Sequence, residues 1–111
     1  MQMSPQAEDL SRIFAALADP TRRAMLARLA GGEATVSELA APHQLSLPTV
    51  SRHLQVLERA NLISKSRAAQ RRTCRLNTAA LETADEWLEP YRTFFRTRLS
   101  RLQKQLEGDR P

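Results

Sequence analysis

The chain has 111 residues, 41% of them hydrophobic and 26% charged, with a formal net charge of +5, which excludes a largely disordered or fibrous chain and sets one domain with a modest core. The longest apolar run, residues 13–18, falls far short of the ~20 residues that span a bilayer, and the N-terminus carries no basic, apolar, cleavable pattern. With a lone Cys74, these features predict a protein of the reducing cytoplasm and exclude a disulfide framework.

Ser4 and Pro5 form a helix start, followed by Leu10, Ile13, Phe14 and Leu17 at i, i+3, i+4, i+7 spacing, the pattern of an amphipathic helix. Asp19 and Pro20 then supply the N-cap and first turn of a second helix, whose Met25, Leu26 and Leu29 face inward before Gly31 and Gly32 stop it. Thr35 and Glu38 make a capping box for a short helix that ends near Ala41 and Pro42. A turn over residues 43–45 leads to Ser46, whose oxygen can accept from a free backbone N–H, with Pro48 in the first turn where no donor is needed. At about 100° per residue, Leu47, Val50, Leu54 and Leu57 fall in one stripe, while Pro48, Arg52, Gln55 and Arg59 project from the opposite side. Short helix, turn, then a helix with an exposed polar face is helix-turn-helix order.

After Asn61 helical spacing gives way to strand alternation over residues 62–67 and 71–76, with 68–70 between them, a basic hairpin in which Cys74 and Leu76 share the inward face. Asn77 can cap a last helical region, where Leu81, Ala84, Leu88, Tyr91, Phe95, Leu99, Leu102 and Leu106 repeat at three and four residues. Pro90 removes a donor and crowds the carbonyl of Glu86, which predicts a kink or two abutting helices near residues 88–91. Four of the five aromatics, Trp87, Tyr91, Phe94 and Phe95, collect there, too many for so small a monomer to bury. With Leu10 and Phe14 of the first helix, Leu81, Leu88, Tyr91, Phe94, Phe95, Leu99, Leu102 and Leu106 are expected to form a homodimer interface. Only the first few residues and residues 108–111 look frayed.

The charge is local. Residues 43–76 hold seven basic side chains against Glu58 alone, a net of +6, whereas the rest of the chain nets −1. A basic segment that contains a polar-faced helix suits double-stranded DNA. Arg52 and Gln55 have the forked donors and acceptors that match guanine and adenine edges in the major groove, with Thr49 and Ser51 flanking them. Arg67, Arg71 and Arg72 of the hairpin, with Lys65, are placed to meet phosphates or a minor groove. The expected DNA-contacting set is Ser46, Pro48, Thr49, Ser51, Arg52, His53, Gln55, Arg59, Lys65, Arg67, Arg71 and Arg72. An enzyme is excluded for want of a phosphate-cradling loop, a nucleophile with its base or a metal cage. A single-strand reader interleaves aromatics with basic residues, and residues 43–76 contain no Phe, Tyr or Trp.

The segments ALADPTRRAMLARLA (16–30), VSELA (36–40) and LSLPTVSRHLQVLERANLI (45–63), with the hairpin ending RLN (75–77), resemble ArsR-type winged helix-turn-helix repressors over nearly the whole chain. The resemblance implies a mainly α protein with a small β-hairpin, built as a helix-turn-helix near 35–60, a wing near 62–76 and dimerisation helices at the N-terminus and near 78–106. It implies a homodimeric bacterial or archaeal regulator that holds an inverted-repeat operator until an inducer of unspecified chemistry releases it. The family's metal sensors carry a thiolate pair at positions matching Thr35 and Ser37, and others use histidines with carboxylates on the last helix. Here His43 and His53 precede that helix and Glu82, Asp85, Glu86 and Glu89 stand without them, so no metal and no cofactor is expected. The alternatives are a redox- or metal-responsive repressor of the same fold, the former through Cys74, or a dimeric protein-interaction module without specific DNA binding.

Overall fold

The computed structural model describes residues 5–68 and 71–108. The expected cap at Ser4, residues 69–70 between the expected strands, and residues 109–111 of the 108–111 stretch expected to fray lie outside them. Helix α1 (Pro5–Leu17) is followed by α2 (Pro20–Ala30), strand β1 (Ala34–Thr35), α3 (Val36–Ala40), one 3-10 turn (Ala41–His43), α4 (Leu47–Arg59), β2 (Ile63–Ala68), β3 (Arg71–Leu76) and α5 (Thr78–Gly108).

The helix starts are local chemistry. Asp19 accepts from Arg22 N at the head of α2, Thr35 and Glu38 form the reciprocal capping box of α3, and Ser46 accepts from Thr49 N at the head of α4. Gly31 closes α2, and Gly32 follows at φ 137°, a conformation that a side chain resists. Between α3 and α4 the chain reverses through Gln44 at φ 52°, and Asn61 at φ 59° turns α4 into the hairpin.

The sheet holds three strands rather than the expected two, in the order β1-β3-β2, all antiparallel. Ala34 pairs with Cys74 and Thr35 with Thr73, too short a strand to announce itself by alternation. Behind the sheet one core cluster gathers Ile13, Met25, Leu29, Leu39, Val50, Leu54, Leu57, Leu62, Ile63 and Cys74. Leu47, expected beside them, is 59% exposed instead, because the first residue of α4 overshoots the core.

Helix α5 is a single helix of 31 residues that runs through Pro90 and is not divided there. The Arg92 guanidinium lies back across the proline turn, donating to the Asp85 carbonyl at 2.9 Å and pairing with the carboxylates of Asp85 at 2.7 Å and Glu89 at 2.6 Å. The brace spans the turn of the proline, although the carbonyl the proline leaves without a donor is that of Glu86. Asn77, just before α5, accepts from Ser64 Oγ at 2.7 Å and so ties the helix start to β2.

The apolar positions of α5 are Ala80, Ala84, Leu88, Tyr91, Phe95, Leu99, Leu102 and Leu106, spaced four, four, three, four, four, three and four, an 11-residue repeat that keeps one face nearly straight. Ala80 and Ala84 are buried in the core, and Leu81, expected in the subunit interface, packs half-buried on the same core. From Trp87 onward the face is bare: Phe94, Phe95, Leu99, Leu102 and Leu106 are each more than half exposed. The radius of gyration, 19.0 Å against about 13 Å for a compact domain of this length, records how far α5 projects. Phe14 of α1 joins it through an edge-on contact with Trp87 at 5.4 Å, and Trp87 stacks at 5.1 Å on Tyr91. Leu10 is half-buried nearby on α1.

Candidate nucleic-acid interface

Helix α4 presents two different faces. Val50, Leu54 and Leu57 are at most 1% exposed, and on the far side Ser46, Pro48, Arg52, Gln55 and Arg59 are open to solvent. Thr49 and Ser51 are half-buried on the flanks, with Thr49 Oγ1 2.9 Å from Ser46 Oγ. Ser51 looks toward the wing, sharing a cleft with Val36, Leu54, Lys65, Arg67 and Arg72. Arg59, in the last turn, instead lines a small cavity with Asp9 and Arg12 of α1 and Thr83 of α5. Seven residues separate it from Arg52, about 10 Å along the axis, so it stands apart from the N-terminal cluster.

His53 also departs from the exposed face. Its Nδ1 lies 3.3 Å from an Arg22 guanidinium nitrogen and 3.9 Å from Asp19 Oδ2, and the side chain is 18% exposed. A guanidinium only donates, so when the ring is neutral Nδ1 is the acceptor of this bond. Arg22 also donates to the carbonyls of Ala16 at 2.7 Å and Ala15 at 3.1 Å, and Arg23 donates to that of Leu17 at 2.7 Å. These are carbonyls of the last turn of α1, which lack helical partners. The DPTRR segment therefore caps two helix ends and pins α4 to both. The Asp19 carboxyl is held below its usual range chiefly by the Arg22 backbone N–H, helped by the Arg22 and His53 charges and opposed by burial.

On the hairpin, register decides what each side chain meets. Ile63 pairs with Leu76, Lys65 with Cys74 and Arg67 with Arg72, so these six share one face. That face is apolar at its base, over the core, and basic where it projects. Arg67 opposite Arg72 places like charges side by side, an arrangement that costs stability unless an anion lies between them. Lys65 approaches Glu58 at 3.9 Å. Among the described residues, Arg52, Arg67, Arg71, Arg72 and Arg75 have no side-chain hydrogen bond or ion pair within the chain, whereas Arg12, Arg22, Arg23, Arg28, Arg92 and Arg96 all do. The uncommitted cations thus gather on α4 and the wing, with others on the far half of α5.

The sequence-expected sensor positions offer little to a metal. Thr35 Oγ1 is committed to the capping box and Ser37 is an exposed hydroxyl. No group of three His, Cys, Asp or Glu side chains comes together among the described residues. Cys74 is 1% exposed at the centre of β3, and burial pushes its thiol above the ordinary value, against the pull of the Lys65 charge. Such a thiol is a poor nucleophile.

Residues 17–65 match the model of a helix-turn-helix domain. The transcriptional repressor SdpR of Bacillus subtilis is 37% identical over 79 residues, 71% of this chain and 88% of that protein. A crystallised ArsR family transcriptional regulator superposes with a TM-score of 0.72 at 37% identity, covering 100% of both chains. The chain belongs to the ArsR family of winged helix-turn-helix transcriptional regulators. The homodimeric winged helix-turn-helix DNA-binding domain from Mycobacterium bovis, solved by solution NMR, is a further neighbour, with a TM-score of 0.63 at 26% identity over 84% of this chain and 91% of that one. The relatives of this ArsR regulator are regulators of transcription and not enzymes. Arg22 escaped the sequence reading of its site. Nothing in helical spacing distinguishes an arginine that clamps from one that is solvated.

Proposed function

We propose that this ArsR regulator is a homodimeric repressor of an inverted-repeat operator, whose two α4 helices enter major grooves about one helical turn apart. The observation that carries the reading is that α4, which bears unpaired Arg52 and exposed Gln55, shares clefts with the unpaired wing arginines through Leu47 and Ser51. Arg52 and Gln55 read base edges, Ser46, Pro48, Thr49 and Ser51 line the approach, and Arg67, Arg71 and Arg72 hold phosphates without selecting sequence. His53, held by Arg22, supports the helix from behind, and exposed Arg59 stands apart from the base-reading cluster.

The bare face of α5 supports the dimer. Leu88, Tyr91, Phe94, Phe95, Leu99, Leu102 and Leu106 are 40–66% exposed, and burying a side chain of this kind contributes about 1.5–3 kcal/mol. The Mycobacterium bovis neighbour is itself homodimeric. The hydroxyls at Thr35 and Ser37 and the enclosed Cys74 support a regulator that answers to neither a thiophilic metal nor oxidant. No helix of the described residues is long and apolar enough to cross a membrane, in keeping with action on DNA in the cytoplasm.

The test is binding to an operator selected from random duplexes, measured against scrambled duplex and single strand. Arg52→Ala should lose roughly 1–3 kcal/mol at one base position per half-site. A uniform loss over all positions, or equal affinity for scrambled duplex, refutes the reading.

A further inference from the structure

Among the described residues ten large apolar side chains are exposed, and nine of them lie on α1 or α5, along the face assigned to the second subunit. The tenth is Leu47. It is the first residue of α4 and 59% exposed, while the other apolar members of its stripe are at most 1% exposed. It lines a cleft with Thr35, Val36, Ser51, Arg71 and Arg72, on the flank of α4 that faces the wing. The cleft also holds Ser37 and the carboxylate of Glu38, and its one other apolar side chain, half-buried Val36, leaves Leu47 mostly uncovered.

We propose that Leu47 is a specificity-determining residue that recognises thymine in each half-site through contact of its isobutyl group with the C5 methyl. This rests on the reading of α4 as a major-groove helix. The N-terminal residues of such a helix are those that reach base edges, and Leu47 is the first of them. Its side chain has no donor or acceptor, so it discriminates by apolar contact alone. The major groove displays one apolar group, the thymine methyl. Arg71 and Arg72 beside it draw the backbone close enough for that contact to exclude water. Arg52 and Gln55 then select hydrogen-bonding edges one to two turns further along α4, and Leu47 adds a position that hydrogen bonds leave unread.

Deoxyuridine differs from thymidine in the pairing duplex by that methyl alone. In the selected operator each symmetric pair of thymines is replaced in turn by deoxyuridine, and the dissociation constant is measured by fluorescence anisotropy for the wild type, Leu47→Ala and Leu47→Met. One pair of replacements should weaken the wild type about four-fold per half-site, the effect of one buried methyl. The same replacement should leave Leu47→Ala unchanged, and Leu47→Met should keep part of the dependence. Circular dichroism and light scattering establish that both variants fold and keep the wild-type mass, as an exposed side chain allows. Wild-type indifference to deoxyuridine at every position, an undiminished penalty in Leu47→Ala, or a change of mass that places Leu47 between subunits overturns the proposal while operator binding stands. Loss of any preference for the selected operator in the wild type overturns both this proposal and the DNA reading.

Discussion

Replacing Arg22 with alanine tests the clamp that sets α4 against α1 and α2. Three bonds are lost: a short one to Ala16 O at 2.7 Å, one to Ala15 O at 3.1 Å and one to His53 Nδ1 at 3.3 Å. Charge-assisted hydrogen bonds contribute about 1.5–3 kcal/mol when shielded and far less when water replaces them. The Ala16 bond is partly buried and counts nearly in full. The longer His53 bond counts at the low end, and the exposed Ala15 carbonyl is rehydrated at little cost. The sum is about 2–3 kcal/mol. With a urea slope of ~2 kcal/mol per molar, the unfolding midpoint should fall by about 1–1.5 M at fixed protomer concentration. Arg23→Ala is the matched control, since it removes one exposed bond to Leu17 O and should move the midpoint by a few tenths of a molar at most. Equal shifts for the two variants refute the clamp. Arg22→Lys, which can satisfy only part of the fork, should fall between.

Asp19→Asn keeps an acceptor for Arg22 N but removes the charge. Because the folded carboxyl lies below its ordinary value of 3.8, its ionic contribution is present above that value and is lost as pH falls through the lower folded one. The stability gap between wild type and variant should thus be constant near neutrality and shrink below about pH 4 in acid titrations; a gap independent of pH sinks the assignment. Leu102→Glu, far out on the bare half of α5, should convert the dimer to a helical monomer in light scattering, and an unchanged mass removes α5 from the interface. Arg72→Ala should flatten the dependence of log affinity on log salt by about one per protomer with base preference intact. An unchanged slope takes Arg72 off the phosphates.

Capping was legible in the sequence because it is local chemistry: Asp19, the Thr35 and Glu38 pair, and Ser46 each reach a backbone N–H three residues away. The polar side of α4 followed from periodicity for the same reason. Strand β1 was not legible, since two residues carry no pattern and their partners Thr73 and Cys74 lie about forty residues further on. Helical spacing put His53 at the edge of the apolar stripe, the place of a partly packed, hydrogen-bonded side chain, but not that Asp19 and Arg22 of another element are its partners. Pro90 predicted a kink or two abutting helices; the helix is not divided, and the contacts of Arg92 with Asp85 and Glu89 across that turn are invisible to a propensity.

The sequence by itself determined which residues of α4 and α5 share a face, since helical geometry spaces them without reference to anything else. Only the tertiary structure decided what each face meets. Leu47 and Leu54 lie in one stripe, yet the core reaches Leu54 and stops short of Leu47. Ala84 and Leu99 belong to one 11-residue repeat, yet α1 covers the near half of α5 and leaves the far half bare. Burial depends on where neighbouring elements end, and that is a property of how the helices are packed rather than of any one of them.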